Sequence, residues 1–444
     1  MASTLDRWFG LTAAGSSAGT EVRAGVTTFL TMAYILFVNP AILGVAIPAG
    51  QPALLTATAL AAALGCLVMG LWARLPFALA PGMGLNAYFA FTVVGQQHVP
   101  WPTALGAVFL SGVLFVVLSV TGARTMLVRA IPRPLRQATA GGIGLFLAFI
   151  GLKNAGVVVA HPATLVTLGD VTGPGPVLFL VGLVVTGALL AVRRPEAILV
   201  GIAVVAGLAI ASGAPVFAGQ AFGGFEGGVV QAPVWPDVAF ALDLPGALGL
   251  GLAGIVFVFL FVDLFDTAGT LSGLAERSGL ADAEGELPRA GRAFFADAVA
   301  TVGGALLGTS TTTAYIESAA GMEAGGRTGL TAVVVAGCFL LSLVFWPLAG
   351  AVPAVATAPA LVVVGALMLG SVRRIDWDAP RVAVPAFLTV AGMALTFSIA
   401  NGIALGLVTW TALHAVTGRA RDVHPILYGL TLAIVARYLW LAAG

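Results

Sequence analysis

Two aspartates three residues apart stand out in the run Phe259-Leu260-Phe261-Val262-Asp263-Leu264-Phe265-Asp266-Thr267-Ala268-Gly269-Thr270. At roughly 100° per residue of an α-helix, Asp263, Asp266, Thr267 and Thr270 gather within about 100° of one another, one polar stripe on an otherwise apolar helix. A third acid, Glu317, sits four residues after Thr313 in the run Thr309-Ser310-Thr311-Thr312-Thr313-Ala314-Tyr315-Ile316-Glu317. A charged carboxylate accepts N–H bonds and a protonated one donates an O–H, so three that converge can bind a polar molecule and carry a proton with it. The bland alternative is an inter-helix hydrogen bond that glues two segments.

What decides between these readings is the medium. Of 444 residues, 59% are hydrophobic and only 9% charged, against about 25% charged in a soluble domain. A water-soluble fold is excluded, and the apolar mass falls into segments of roughly 17 to 25 residues, the length that crosses a hydrocarbon core about 30 Å thick. Spans are predicted at 22–45, 53–73, 76–96, 101–121, 135–152, 175–192, 196–212, 246–275, 290–308, 309–325, 328–349, 352–370, 382–399 and 401–417, fourteen in all. A last stretch, 425–441, contains Arg437 and fits either a crossing or the interface. With the N-terminus cytoplasmic, Arg7, Arg23, Arg74, Arg124, Arg129, Arg133, Arg136, Arg193, Arg194, Arg277, Arg289, Arg292, Arg327, Arg373, Arg374, Arg381, Arg419 and Arg421 all fall inside. Of the 20 basic residues only Lys153 and Arg437 do not, which is the positive-inside pattern.

The 20 basic and 19 acidic residues nearly cancel, giving no reason to expect a nucleic-acid partner. Cys66 and Cys338 are isolated thiols in apolar runs, fitting neither a disulfide framework nor a metal cluster, so no metal or other cofactor is expected. The first twenty residues lack a continuous apolar core, so the first span is expected to act as its own insertion signal. Entering near Leu250, span 8 carries Asp263 about 20 Å down. Each such aspartate costs about 2.5 to 3.5 kcal/mol on insertion scales, which makes unexplained ones expensive.

Two spans cannot be plain helices. Span 3 opens Pro76-Phe77-Ala78-Leu79-Ala80-Pro81-Gly82-Met83-Gly84-Leu85-Asn86, where Pro81 and two glycines predict non-helical backbone before Asn86. Span 10 opens with five consecutive hydroxyl residues, Thr309 to Thr313, which favour extended or capping conformations. Four extended residues plus some twelve helical ones reach roughly 31 Å, one membrane thickness. Starting from opposite sides, the two half-helices would point their N-termini at each other near the midplane, with partial positive charge and free backbone N–H groups at Gly82, Thr312, Thr313 and Ala314. Asn86-Ala87-Tyr88-Phe89 in span 3 and Thr313-Ala314-Tyr315-Ile316 in span 10 either recur by chance in an Ala-rich chain or mark a repeat, and the separation by an odd number of spans would make that repeat an inverted one, a construction common in secondary transporters. Asp297 and Glu323 are expected toward the cytoplasmic end, in structural roles. The histidines His98, His161 and His424 fall in or near connections, and His414, near the end of span 14, is expected at the interface, not in catalysis.

Four runs carry a family resemblance: Gly25-Val26-Thr27-Thr28-Phe29-Leu30-Thr31-Met32-Ala33-Tyr34-Ile35 through Asn39-Pro40; Ala80-Pro81-Gly82-Met83-Gly84-Leu85-Asn86-Ala87-Tyr88-Phe89; Asp263 through Thr270; and Tyr315-Ile316-Glu317-Ser318-Ala319-Ala320-Gly321 with Gly325-Gly326-Arg327-Thr328-Gly329. In order and over nearly the whole chain they resemble the azaguanine-resistance-like branch of the nucleobase:cation symporter-2 family, the nucleobase/ascorbate transporter type. The resemblance implies an all-α polytopic membrane protein with the uracil-transporter fold, fourteen spans as two inverted seven-span repeats. It also implies a core of spans 1–4 (1–122) and 8–11 (246–350) and a gate of spans 5–7 (123–245) and 12–14 with the C-terminal stretch (351–444). The implied activity is proton symport of purine bases such as adenine, guanine and hypoxanthine across the plasma (inner) membrane, often as a homodimer, through the gate. Gly84, Asn86, Asp263, Asp266, Thr267 and Glu317 would then hold substrate, with Glu317, Asp263 and Asp266 coupling the proton.

A flat purine suits such a site: carboxylates accept its N–H groups, Asn86 and the half-helix N–H groups donate back, and Phe89, Phe261 or Phe265 covers the ring. Another nucleobase (xanthine or uracil) or an anion on the same fold is the nearest alternative, although three acids disfavour an anion. An intramembrane aspartyl protease is set aside, because the paired motifs such an enzyme needs do not occur; no enzyme activity is expected.

Overall fold

The computed structural model describes residues 4–121, 130–217, 219–249, 252–278, 287 and 289–443. Arg124, Arg129 and the boundary drawn at 122/123 lie outside the described residues. Nine helices among the described residues are long and apolar enough to cross a membrane: Ala18–Leu43, Gln51–Ala73, Trp101–Thr121, Arg133–Asn154, Pro174–Ala191, Gly254–Ala275, Ala290–Leu307, Ala354–Arg374 and Ile399–Val416. They are spans 1, 2, 4, 5, 6, 8, 9, 12 and 14. Shorter apolar helices Ala197–Ser212, Gly329–Phe345 and Pro380–Leu395 supply spans 7, 11 and 13, and the two interrupted spans complete the fourteen.

Span 3 begins with a strand, β1 (Leu79–Pro81), and becomes helical from Met83–Ala87 through a wider-wound Tyr88–Gln96. Beyond span 5, an exposed hairpin of β2 (Val158–His161) and β3 (Leu165–Leu168) joins it to span 6, an element the hydropathy pattern does not announce. Its β-branched run and three-residue loop account for it locally. Span 10 begins with β4 (Thr312–Ala314) and continues as the six-residue helix Ser318–Glu323. β1 and β4 pair antiparallel, Leu79 with Ala314, Ala80 with Thr313 and Pro81 with Thr312.

This pairing corrects one detail of the repeat. Strand aligns with strand, so Tyr315, the residue after β4, corresponds to Gly82, whereas Tyr88 lies well into the helix. The inverted repeat holds at the level of spans, but the Asn86-Ala87-Tyr88-Phe89 and Thr313-Ala314-Tyr315-Ile316 match is a coincidence of an Ala-rich chain.

Two further breaks depart from the predicted spans. Span 1 is interrupted at Ala33 and Tyr34, ahead of Pro40 inside Ile35–Leu43. Span 8 starts as Leu244–Gly249, passes through a kink at Gly254 (φ −96°, ψ −118°) and runs as Phe257–Ser278. The C-terminal helix Pro425–Ala443 lies along span 14: the Thr411 and Thr431 hydroxyls are 2.9 Å apart and the Tyr438 hydroxyl donates to Asn401 Oδ1 at 2.5 Å. The later partner pairs with the earlier residue, so the two helices are antiparallel.

Packing follows the repeat. Spans 5 and 12, seven apart, cross where Gly144 faces Gly365, and a Cβ on Gly144 would meet the Gly365 carbonyl at 2.5 Å. Small residues allow such backbone approach in lipid, where helix association depends on close packing. On the Arg-rich side the buried Glu21 of span 1 accepts from Thr331 Oγ1 (2.5 Å), Arg327 N (3.0 Å) and Thr328 N (3.2 Å), closing the orphan donors at the start of span 11.

Candidate functional site

The β1–β4 ribbon is the frame of the site. Beyond the paired residues it is extended by Gly82 N donating to Thr311 O (2.9 Å) and Tyr315 N donating to Ala78 O (3.0 Å), and the Tyr315 hydroxyl donates to Pro81 O (2.6 Å). A ribbon only two strands wide leaves outward-facing backbone groups that lipid cannot satisfy. Spans 2 and 9, equivalent in the repeat, meet that need with side chains. On one edge Cys66 Sγ accepts from Leu79 N and donates to Leu79 O, both at 3.2 Å. On the other, Thr301 Oγ1 accepts from Thr312 N (3.2 Å) and Asp297 Oδ1 accepts from Ala314 N (2.9 Å).

Span 8 lies against β4 and brings its polar stripe with it. Asp263 is buried; its Oδ2 accepts from Thr301 Oγ1 (3.0 Å), and its Oδ1 has no partner among the described residues. Thr267 donates to Asp297 Oδ2 (2.7 Å) and its oxygen lies 2.9 Å from Thr313 Oγ1. Asp266 and Glu317 are only partly exposed and lie within electrostatic range of each other, as do Asp263 and Asp297. Glu317 occupies the N-cap position of Ser318–Glu323, and the buried Tyr34 hydroxyl donates to its Oε1 at 2.6 Å. The hydroxyls of Ser310, Thr311 and Thr312 are buried with no partner among the described residues, so β4 and the residues before it keep unused hydrogen-bonding capacity.

The residues expected to act together are thus distributed in two layers. Asp263, Asp266, Thr267, Glu317, Gly82, Thr312, Thr313 and Ala314 meet around β4. Asn86 is fully buried beside them in a separate polar knot, where its amide donates to Asn39 Oδ1. Asn39 in turn donates to Thr58 Oγ1 (2.8 Å) and Thr309 Oγ1 (3.0 Å), tying spans 1, 2 and 3 to the start of span 10. Gly84 faces span 5, where a Cβ would come 2.5 Å from Ile143 Cγ2. Of the rings considered for stacking, Phe89 is fully buried, whereas Phe261 and Phe265 stand edge to face 4.3 Å apart and line a seam toward spans 5, 13 and 14.

Asp297 needs correction. The sequence puts it toward the cytoplasmic end, but its carboxylate is buried against β4 and accepts from both the Thr267 hydroxyl and the Ala314 amide. The signal for it was present: a lone acid in an apolar span, seven residues into its helix, reaches mid-depth. Tyr34 and Asn39 were also legible on that ground as polar groups deep in span 1, although nothing in spacing names their partners. Glu323 is exposed. His414 is buried and stacks on Trp410, with Nδ1 2.9 Å from the Trp410 carbonyl.

Two interrupted spans thus meet at paired strands with buried or half-buried acids around them, an arrangement suited to holding a polar molecule between the two repeats. Comparison with known proteins agrees. A xanthine/uracil permease model, described as the Permease family, matches residues 19–405. A putative permease of Methanocaldococcus jannaschii is 49% identical over 99% of this chain and 99% of its own length. The adenine permease AdeP of Escherichia coli K12 is 44% identical over 99% of this chain and 97% of its own length, and the guanine/hypoxanthine permease PbuG of Bacillus subtilis 168 is 44% identical over 96% and 98%. Among solved structures, the transmembrane domain of a cyanobacterial bicarbonate transporter, BicA, superposes with TM-score 0.63 at 14% identity over 87% of this chain and 97% of that one, a likeness of fold alone. Murine Slc26a9 in its inward-facing state gives TM-score 0.61 at 11% identity over 88% and 68%. The chain therefore belongs to this permease family, the nucleobase/ascorbate transporters, as a multi-pass membrane carrier and not an enzyme.

Proposed function

We propose that the chain imports purine nucleobases, adenine, guanine or hypoxanthine, together with protons. The observation that carries this reading is the meeting of Asp263, Asp266 and Glu317 at the β1–β4 ribbon, with the Asp263 Oδ1 unpartnered among the described residues and unpartnered hydroxyls at Thr312 of β4 and at the two residues before it. Carboxylates accept the ring N–H groups of a neutral purine, and hydroxyls match its remaining edges. The relatives named above as adenine and guanine/hypoxanthine permeases support the substrate class. Protonation of a carboxylate changes its hydrogen bonding and lowers its cost of crossing, which links base and proton in one cycle. In this reading Asn86 braces the chamber through Asn39, and Gly84 lets span 3 slide past span 5.

The moving parts are a core of spans 1–4 and 8–11, held together by the ribbon, and a gate of spans 5–7 and 12–14, with alternating access arising from their relative motion. The distribution of Arg supports a cytoplasmic N-terminus in the plasma (inner) membrane, and the lipid-facing gate is the surface through which a homodimer would form. An anion on this fold, as in the bicarbonate transporter, is disfavoured by three acids in one chamber.

The test is uptake of radiolabelled hypoxanthine in a bacterial strain lacking its own purine carriers. Glu317→Gln, with unchanged amounts of protein in the membrane, should abolish pH-gradient-driven accumulation. Accumulation equal to wild type would remove Glu317 from the mechanism, and no uptake by the wild type would sink the substrate assignment.

A further inference from the structure

Arg136 is the fourth residue of span 5 and sits half-buried in the seam between spans 5, 8, 13 and 14. There it lines a cavity of about 10 Å³ with Thr139, Phe261, Phe265, Thr389 and Leu407. That volume has room for about one water, so the seam is shut in this structure. The Nε of Arg136 is buried with no hydrogen-bond partner, and no carboxylate pairs with its guanidinium among the described residues.

An arginine that only anchors the chain at the membrane surface turns its nitrogens to water or headgroups. One that closes a donor into an apolar seam leaves a polar group unmet, at about 1–3 kcal/mol or more. The seam is walled by the helix that carries the acids: Phe261 and Phe265, edge to face at 4.3 Å, line it and lie on the same helix as Asp263 and Asp266. A flat base released from the carboxylates toward the Arg-rich side, between span 8 and span 5, would meet these rings and Arg136.

We propose that Arg136 is a specificity-determining residue that reads the O6 and N7 acceptors of 6-oxopurines, so that the carrier prefers guanine and hypoxanthine to adenine. The inference rests on the purine-carrier reading above and narrows it. A guanidinium presents parallel N–H donors that match two adjacent acceptors, the pairing by which arginine reads guanine elsewhere. Adenine places an amino donor where the 6-oxopurine has its carbonyl, so donor would meet donor and the arginine would again be unsatisfied. Phe261 and Phe265 supply apolar faces for the ring and are indifferent to its edge.

The experiment is competition of labelled hypoxanthine uptake by unlabelled guanine and adenine, in wild type, Arg136→Gln, Arg136→Lys and Arg133→Gln. Wild type should be inhibited by guanine at least about tenfold more strongly than by adenine, the 1.4 kcal/mol worth of one good discrimination. Arg136→Gln should bring the ratio toward one, and Arg136→Lys, which keeps charge without the fork, should fall between. Arg133→Gln, in the same turn but exposed, should leave the ratio as in wild type. An unchanged ratio in Arg136→Gln, a wild type that favours adenine, or an equal effect of Arg133→Gln overturns the proposal. Should Arg136→Gln not reach the membrane, the ratio in Arg136→Lys decides. Glu317-dependent hypoxanthine uptake with a ratio indifferent to Arg136 overturns this inference alone, whereas absence of purine uptake by wild type removes both readings.

Discussion

Gly84→Ala tests whether spans 3 and 5 must pass each other closely. A Cβ at Gly84 would lie 2.5 Å from Ile143 Cγ2, about 1 Å short of ordinary carbon–carbon contact. Ile143 is buried at 3% exposure in a helix, and its β-branch is stiff at χ1, so the methyl cannot swing clear. Overpacking of this kind costs about 1–3 kcal/mol. If it falls on the state in which the two spans touch, initial uptake rates drop about 5- to 150-fold. Ile143→Ala removes the offending methyl and should relieve the strain. A double-mutant cycle should therefore show favourable coupling of about 1–3 kcal/mol, with Gly84→Ala/Ile143→Ala transporting better than Gly84→Ala. The readouts are radiolabelled hypoxanthine uptake normalised to membrane-inserted protein and thermal unfolding in detergent. Wild-type uptake by Gly84→Ala, or a double variant no better than the single, refutes the reasoning.

Asp297→Ala should leave the buried Ala314 N–H without its acceptor and cost about 1–3 kcal/mol, lowering the thermal midpoint and uptake, while Asp297→Asn, which keeps one accepting oxygen, should recover most of the loss. Equal behaviour of the two variants would mean the strand does not depend on this bond. Outside the membrane, the Thr103 hydroxyl and then the Gly246 amide hold the Asp243 carboxyl below the usual carboxylate range. A depressed native value means the stabilisation is present at neutral pH and is lost as pH falls through that value. Asp243→Asn should thus lower the thermal midpoint at pH 7 and converge on wild type in strong acid; a difference that persists there would assign the effect to packing.

The fold was legible where backbone chemistry leaves no choice. Pro81 cannot donate and Thr309 to Thr313 resist helix, so spans 3 and 10 had to be interrupted, and an interrupted backbone in lipid needs a partner strand. Carboxylates were legible for the same reason of cost. The identity of partners was not, because it depends on which spans meet. Asn86 reads as a free donor in sequence, yet folding sets it against Asn39, 47 residues away in the chain. Cys66 reads as an apolar filler, yet its sulfur completes Leu79. Asp297 reads as peripheral in the sequence, whereas the fold sets its carboxylate against β4, a strand whose position no spacing announces.

The ribbon also constrains the chain's architecture as a whole. β1 belongs to the first seven spans and β4 to the second seven, and each strand's inward backbone bonds are completed only by the other. A half-length chain in a bilayer would leave those groups open in hydrocarbon, where each costs several kcal/mol. Such a half is stable only when clasped, head to tail across the bilayer, by another. The fused polypeptide makes that clasp obligatory and intramolecular, so neither repeat can unfold or exchange without exposing the centre of both.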